Sequence, residues 1–189
     1  MARPPDHHKR AALLAGVVTY IGENGLADLS LRPLAAALGT TSRMLIHYFG
    51  TKEELLVQAL ATQRPDFDAF FADVSDAAGL EARLRESWTA MTVGDDAVST
   101  RILLQVIAIG PTQPGPFADF AEKALDTVIG ALAAAMVRSG WSRGIATADA
   151  TMISAGFRGL LSDRLITGDF ERTELSAERL IGVVLGGMR

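Results

Sequence analysis

Apolar residues recur at spacings of three and four along nearly the whole chain, and no run of alternating β-branched residues bounded by turn dipeptides interrupts them. The pattern predicts helices throughout and no sheet. The first helix is expected over His8–Glu23, with Leu14, Val17, Val18 and Ile21 along one face and Gly25 as its stop. Ser30 is a good N-cap for a second over Leu31–Leu38; Pro33 falls in its first turn, where no internal hydrogen bond is forfeited, and Gly39 breaks it. A third follows over Ser42–Tyr48, then a fourth over Lys52–Gln63 that Pro65 must end or kink. Beyond Pro65 the helices lengthen and their residues shrink: Leu80–Val93, Ala97–Ile109, Phe117–Ser139, Ala148–Gly168 and Glu174–Gly187, divided by "VGDD", "GPTQPGP" and "SGWSRG". Phe117, Phe120, Ala121, Ala124, Leu125, Val128, Leu132, Ala135 and Met136 make a regular apolar stripe of the kind a helix turns towards a core.

Within this series, residues 31–50 ("LRPLAAALGTTSRMLIHYFG") have the spacing of a helix-turn-helix. Ala35 is small where two helices must cross closely, and Gly39 sits where a tight turn asks for positive φ. Leu34, Leu38, Leu45 and Phe49 supply the apolar contacts that lock the unit. What such a unit presents is the outer side of its second helix, here Ser42, Arg43, His47 and, at the edge, Tyr48, all of them side chains suited to base edges or phosphates. Lys52 opens the next helix, where free N–H groups and the positive dipole end also favour a phosphate.

Composition narrows the class. The 189 residues, 49% hydrophobic and 21% charged, suffice for one large domain or a small one joined to a larger one, and exclude disorder. The longest uncharged apolar stretches, "LLQVIAIG" and "VIGALAAAMV", fall short of the roughly 18–20 residues of a membrane span, and no signal-peptide layout opens the chain, so a cytoplasmic protein is expected. The absence of cysteine excludes a disulfide framework, thiolate metal sites and a cysteine nucleophile. A net charge of −4 argues against a nucleic-acid partner when taken globally, but its distribution argues the other way. Residues 1–64 carry seven Lys/Arg (Arg3, Lys9, Arg10, Arg32, Arg43, Lys52, Arg64) against five acids (Asp6, Glu23, Asp28, Glu53, Glu54), leaving +2 there and −6 in the remainder.

The stretch "LSLRPLAAALGTTSRMLIHYFGTKEELLVQAL" resembles the DNA-binding domain of TetR-type transcriptional regulators, whose recognition helix ends in an aromatic-rich Y-x-H-F followed by a turn, a Lys and an amphipathic linking helix. The resemblance covers about residues 8–62, with "GTKEELL" and the preceding aromatics its most specific part; the remainder matches in layout. It implies an all-α chain with an N-terminal three-helix helix-turn-helix DNA-binding domain over residues 1–50. A larger helical domain for effector binding and dimerisation follows over residues 51–189, with helix 52–63 as connector. Carried over by position, Ser42, Arg43 and His47 fall on base-facing positions, Ser30, Tyr48 and Lys52 on phosphate-facing ones, and Arg32 where a base is sometimes reached; Thr41 is counted with the DNA-contacting set. Two residues depart from the family pattern: Ile46 stands where Tyr is usual, and Tyr48 where His is usual. Bland alternatives stay open, with Ser30 a helix cap, Arg32 and Arg43 solvated charges and Tyr48 half core. His7, His8, Lys9 and Arg10 form either an arm against the phosphate backbone or an unordered terminus. The adjacent His7 and His8 cannot share one helix face to hold a metal, and neither metal nor cofactor is expected.

For the acidic part the resemblance implies a homodimer on palindromic double-stranded DNA, released by a small apolar effector. Gly156, Gly159, Gly182, Gly186 and Gly187 permit close backbone approach in the last two helices, and Phe157, Leu160 and Val183 are among the apolar residues such a contact would bury. Trp88, Met91, Thr92, Phe117 and Phe120 are candidates for the effector cavity, and equally for plain core. Helix 52–63 stands as the sole covalent lever between effector and DNA. An enzyme is the weaker class: Asp95 with Asp96, Asp149, Asp163 and Asp169 are the only candidates for paired carboxylates, and no nucleophile motif or phosphate-binding loop accompanies them. The remaining alternative is an all-helical small-molecule-binding or partner-binding protein with a vestigial helix-turn-helix.

Overall fold

The computed structural model describes residues 7–26, 29–93, 97–110 and 114–187. Every regular element among them is an α-helix: α1 His7–Asn24, α2 Leu31–Ala37, α3 Ser42–Phe49, α4 Lys52–Ala61, α5 Phe67–Phe70, α6 Ala77–Thr92, α7 Ala97–Ile109, α8 Pro116–Arg138, α9 Arg143–Thr167 and α10 Phe170–Gly186. The all-helical class is thus as expected, and none of these helices is long and apolar enough to cross a membrane. Three helices begin about a turn earlier than their apolar period indicates. α6 starts behind Asp76, whose carboxylate accepts the Gly79 N–H at 2.7 Å, and α10 behind Asp169, which accepts the Arg172 N–H at 3.1 Å. α9 starts behind Ser142, held extended at ψ 146°. A period becomes visible at the first inward residue, whereas the helix itself begins a turn earlier at its cap. The single turn α5 has no period to show, and only its cap, Asp66 accepting from the Ala69 N–H at 3.0 Å, marks it.

The chain divides into two compact units, Met1–Arg64 with Val98–Ala121 and Pro65–Ala97 with Glu122–Arg189. In the first, α1 packs on α2 and α4, and α3 on α2 and α4. Val17, Ile21, Leu34, Leu45, Leu55 and Ala59 lie at its fully buried centre. A Cβ on Gly16 of α1 would press on the tip of the Leu38 side chain at the end of α2, which would have to shift. Ile102 and Val106 of α7, with Phe117, Phe120 and Ala121 of α8, join the same core, and the Gln105 amide oxygen accepts the Leu26 N–H at 3.3 Å. The expectation that helix 52–63 is the only covalent link is therefore corrected. α7 and α8 each run from one unit into the other, because residues 98–121 carry apolar faces that complete the core of α1–α4.

In the second unit α9 packs along α10, and α6 packs on both. Leu80, Leu84, Trp88, Ile153, Phe157, Leu161, Ile181 and Val184 form the buried interior. Polar side chains fasten its periphery: the Arg138 guanidinium donates to the carbonyls of Val74 at 3.1 Å and Phe71 at 2.5 Å, and the Trp141 Nε1–H to Asp149 at 3.0 Å. In the long stripe of α8, Leu132, Ala135 and Met136 are buried as expected, while Leu125 and Val128 are half-buried.

Candidate nucleic-acid interface

The helix-turn-helix is built from local chemistry. α2 ends in a left-handed Gly39 at φ 62°, with the Gly39 N–H bonded to the Ala36 carbonyl at 3.1 Å and the Thr40 N–H to the Ala35 carbonyl at 2.9 Å. This double closure satisfies the last carbonyls of α2 and turns the chain at once into α3. Thr41 caps α3 by accepting the Met44 N–H at 3.2 Å. Leu45 and Phe49 then point inward at 0% and 4% exposure, and the rest of α3 is set by their spacing.

That spacing turns Arg43, Ile46 and His47 to the exposed side, with Ser42 and Tyr48 half-buried at the flanks. The Tyr48 ring lies between its neighbours, its centroid 5.8 Å from that of His47 and 6.0 Å from that of Phe49. The side chains of Arg32, Ser42, Arg43 and His47 make no hydrogen bond or ion pair among the described residues. Ser30 occupies the N-cap position of α2 with extended backbone, yet its hydroxyl makes no cap bond and the residue is exposed. The capping alternative thus holds for its backbone and not for its side chain.

At the start of α4 the expectation of a bare helix end needs correction. Thr51 and Glu54 form a capping box, the Thr51 N–H donating to the Glu54 carboxylate at 2.6 Å and the Glu54 N–H to the Thr51 hydroxyl at 3.1 Å, so two of the donors already have an acceptor. Gly50, at φ 90°, lets that carboxylate approach; a Cβ there would collide with it. Lys52 is partly committed too, its Nζ donating to the Leu29 carbonyl at 3.2 Å and lying 3.9 Å from Glu53. The remaining donors of the ammonium stay available at the surface.

Sequence reasoning missed the brace behind α3. Arg10 donates to the Gln58 side-chain oxygen and lies over the Phe49 ring, 5.1 Å from its centroid, while the Gln58 amide donates to the Phe49 carbonyl at 3.2 Å. α1, α4 and the last residue of α3 are thereby fixed together. The available signal was spacing: Arg10 precedes Leu13, Leu14 and Val17 by three, four and seven positions, which puts it on the inward face of α1. Arg10 thus acts in the frame, while His7, His8 and Lys9 lie exposed in the first turn of α1.

The residues singled out for the other two roles are distributed unevenly. Trp88 is buried, its Nε1–H donating to Glu174 at 2.9 Å and its ring 5.2 Å from that of Phe157; Met91 and Thr92 follow half-buried on α6. Phe117 and Phe120 belong to the core of the first unit, so these candidates do not fall within one unit. Gly156 and Phe157 face inward, a Cβ on the former colliding with Leu180. Leu160 is half-buried, while Val183 and Gly186 are exposed on α10. Of the candidate carboxylates, Asp149 holds Trp141, Asp163 and Asp169 hold Arg172, and Asp95 and Asp96 lie outside the described residues.

Residues 13–59 match the family model of bacterial regulatory proteins, tetR family. No curated protein matches the sequence significantly. Among solved structures, a transcriptional regulator from Rhodococcus sp. Rha1 is similar at TM-score 0.76 and 23% identity, over 94% of this chain and 96% of that one. A TetR transcriptional regulator from Legionella pneumophila has TM-score 0.72 and 16% identity over 100% of both chains, and the multidrug binding protein EbrR complexed with proflavin 0.67 and 20% over 93% and 99%. The family match thus falls on the helix-turn-helix segment, and along its whole length the chain shares the fold of these regulators.

Proposed function

We propose that the protein is a homodimer that binds a palindromic operator in double-stranded DNA and represses transcription until a small apolar effector releases it. The observation that carries the reading is the outer face of α2 and α3. The side chains of Arg32, Ser42, Arg43 and His47 stand there without a hydrogen bond or ion pair among the described residues, on a frame locked by Leu34, Leu45 and Phe49. Phosphate contacts from Ser30, Tyr48 and Lys52 supply affinity, base contacts from Ser42, Arg43 and His47 supply register, with Arg32 and Thr41 beside them. In this reading residues 1–50 are the DNA-binding domain and the remainder serves effector and dimer.

Support for the dimer comes from glycines that the single chain does not need. A Cβ on Gly159, Gly182 or Gly186 would meet nothing within 4 Å, in contrast to Gly156. The same two helices expose Met152 at 48%, Ile166 at 83%, Leu175 at 64% and Val183 at 62%. Glycine costs about 1 kcal/mol relative to alanine inside a helix, so its use on an exposed apolar face supports close packing against a second copy. For the effector, support is the EbrR structure with proflavin, together with Trp88, Met91 and Thr92 at the end of α6. Coupling of about 2.7 kcal/mol would lower operator affinity a hundredfold, within reach of one buried apolar ligand.

The test is a mobility shift with the full chain on its own upstream DNA across a salt series. If a dimer neutralises about eight phosphates, log K against log salt falls with slope about −7. No shift on that DNA would overturn the reading in favour of a helical binding protein with a vestigial helix-turn-helix, and binding insensitive to salt would remove its electrostatic basis. Gly182→Leu, which the single chain accommodates, should give a folded monomer without operator affinity. A wild type that is monomeric at micromolar concentration by light scattering would remove the dimer.

A further inference from the structure

Ile46 is a large apolar side chain set where the frame has no use for it. Leu45 and Phe49 make the inward contacts of α3 and are almost wholly buried, whereas Ile46 is 41% exposed. It follows Ser42 by four positions and Arg43 by three, which places it one turn further along their side of the helix. Its backbone is satisfied within the helix and its turn, the Ile46 carbonyl accepting the Gly50 N–H at 2.9 Å. Being β-branched, it is held to essentially one χ1 rotamer in a helix, so little side-chain freedom is lost when it meets a partner. Neither water nor a phosphate rewards such a group. Among the base edges in the major groove of DNA, each pair offers hydrogen-bond donors and acceptors, and only thymine adds an apolar group, its C5-methyl.

We propose that Ile46 packs against the C5-methyl of a thymine in each operator half-site and so specifies an A·T pair next to those that Ser42 and Arg43 face. This inference rests on the proposed role of α3 as the recognition helix, and adds to it a base identity. Arg43, Ser42 and His47 select by hydrogen bonding; Ile46 selects by a methyl group that a cytosine, or a thymine stripped of its methyl, does not present.

A duplex selected by the full-length protein from a randomised library serves as the probe, with affinity followed by fluorescence anisotropy at fixed salt. Replacing each thymine in turn by deoxyuridine removes the C5-methyl and keeps every hydrogen-bonding group. At one position per half-site this should weaken binding by about fourfold, the effect of withdrawing one methyl-sized apolar group from contact. In Ile46→Ala the same replacement should change nothing, and in Ile46→Val part of the sensitivity should persist. Circular dichroism serves as the check that the variants fold, which the exposure of the residue leads one to expect. Equal binding of all uracil and thymine duplexes by the wild type, or a uracil penalty undiminished in Ile46→Ala, would overturn the proposal and leave α3 a recognition helix. Recovery of no duplex from the library would overturn the role of α3 and, with it, this assignment.

Discussion

In the second unit Arg85 is held by Glu178 and Glu81, Arg172 by Asp163 and Asp169, Arg83 by Asp73 and Glu86, and both indoles donate to carboxylates. In the first, Arg32 and Arg43 have no such partner among the described residues. These arginines of the acidic part are paired with carboxylates within the chain, whereas Arg32 and Arg43 of the helix-turn-helix are left without one. A global charge of −4 therefore says little about partners, because several acids of the second unit are already paired with arginines of the same chain. The two units also differ in how they hold their helices. Around α2 and α3 the turn and caps are local, made at Gly39, Thr41 and the Thr51–Glu54 box, with the Arg10–Gln58 brace added from α1 and α4; around α6, α9 and α10 side chains join residues far apart in sequence, as Trp88 joins Glu174.

The hardest blow to this contrast would fall on Trp88. If it is the core residue its burial indicates, Trp88→Ala should destabilise the second unit by about 3–5 kcal/mol in chemical denaturation, through lost burial and an unfilled cavity. Trp88→Phe keeps an aromatic ring beside Phe157 and loses the bond to Glu174, for which about 1–3 kcal/mol is expected. A loss below 1 kcal/mol for the alanine variant would mean that the ring lines a space meant for a ligand rather than fills a core.

The same contrast decides what was legible in the sequence. α7 has its predicted ends at Ala97 and Ile109, and the turn at Gly39 and the stop at Gly25 carry the positive φ that their positions demanded. Leu45 and Phe49 are buried where the period placed them, which by itself turns Arg43 and His47 outward. All of this is local. What periodicity cannot show is which distant segment completes a core, and so the place of residues 98–121 with α1–α4 and the Arg10–Gln58 brace were beyond it. Lys52 was legible as a surface cation but not as a donor to Leu29, twenty-three residues away.

Arg43 and Lys52 sharpen the contrast within the first unit. Arg43→Ala removes a side chain that the fold does not use, so stability should stay within about 0.5 kcal/mol of wild type, while discrimination at one base pair falls by about 1–3 kcal/mol. Lys52→Ala should weaken binding to specific and random duplexes alike and reduce the salt slope, and should also lower the melting temperature because the Leu29 carbonyl loses its partner. Equal losses on specific and random DNA for both variants would contradict the division between base-facing and phosphate-facing groups.

The smallest effect is expected from an ion cluster of the second unit, and its sign can be worked out. Arg172 donates through Nη1 and Nη2 to Asp163 at 2.6 and 3.0 Å, and through Nε to Asp169 at 3.0 Å. These bonds hold the Asp163 carboxyl below its ordinary value of 3.8; the Asp169 carboxyl lies lower too, first through the Arg172 backbone N–H that it caps and then through the guanidinium. A depressed carboxyl contributes stability that is fully present above its unfolded pKa and disappears as pH falls through its folded one. Arg172→Met should therefore melt slightly below wild type near neutrality, by an amount that stays level down to about pH 5 and shrinks steadily below about pH 4. The groups are at the surface, so salt at about 1 M should erase most of the difference at neutral pH. The bond from the Arg172 backbone to Asp169 survives the substitution, and some acid sensitivity should survive with it. A gap between wild type and Arg172→Met that widens on acidification would show that the guanidinium is not what depresses these carboxyls, and would separate the α9–α10 corner from the charge pairing that distinguishes the two units.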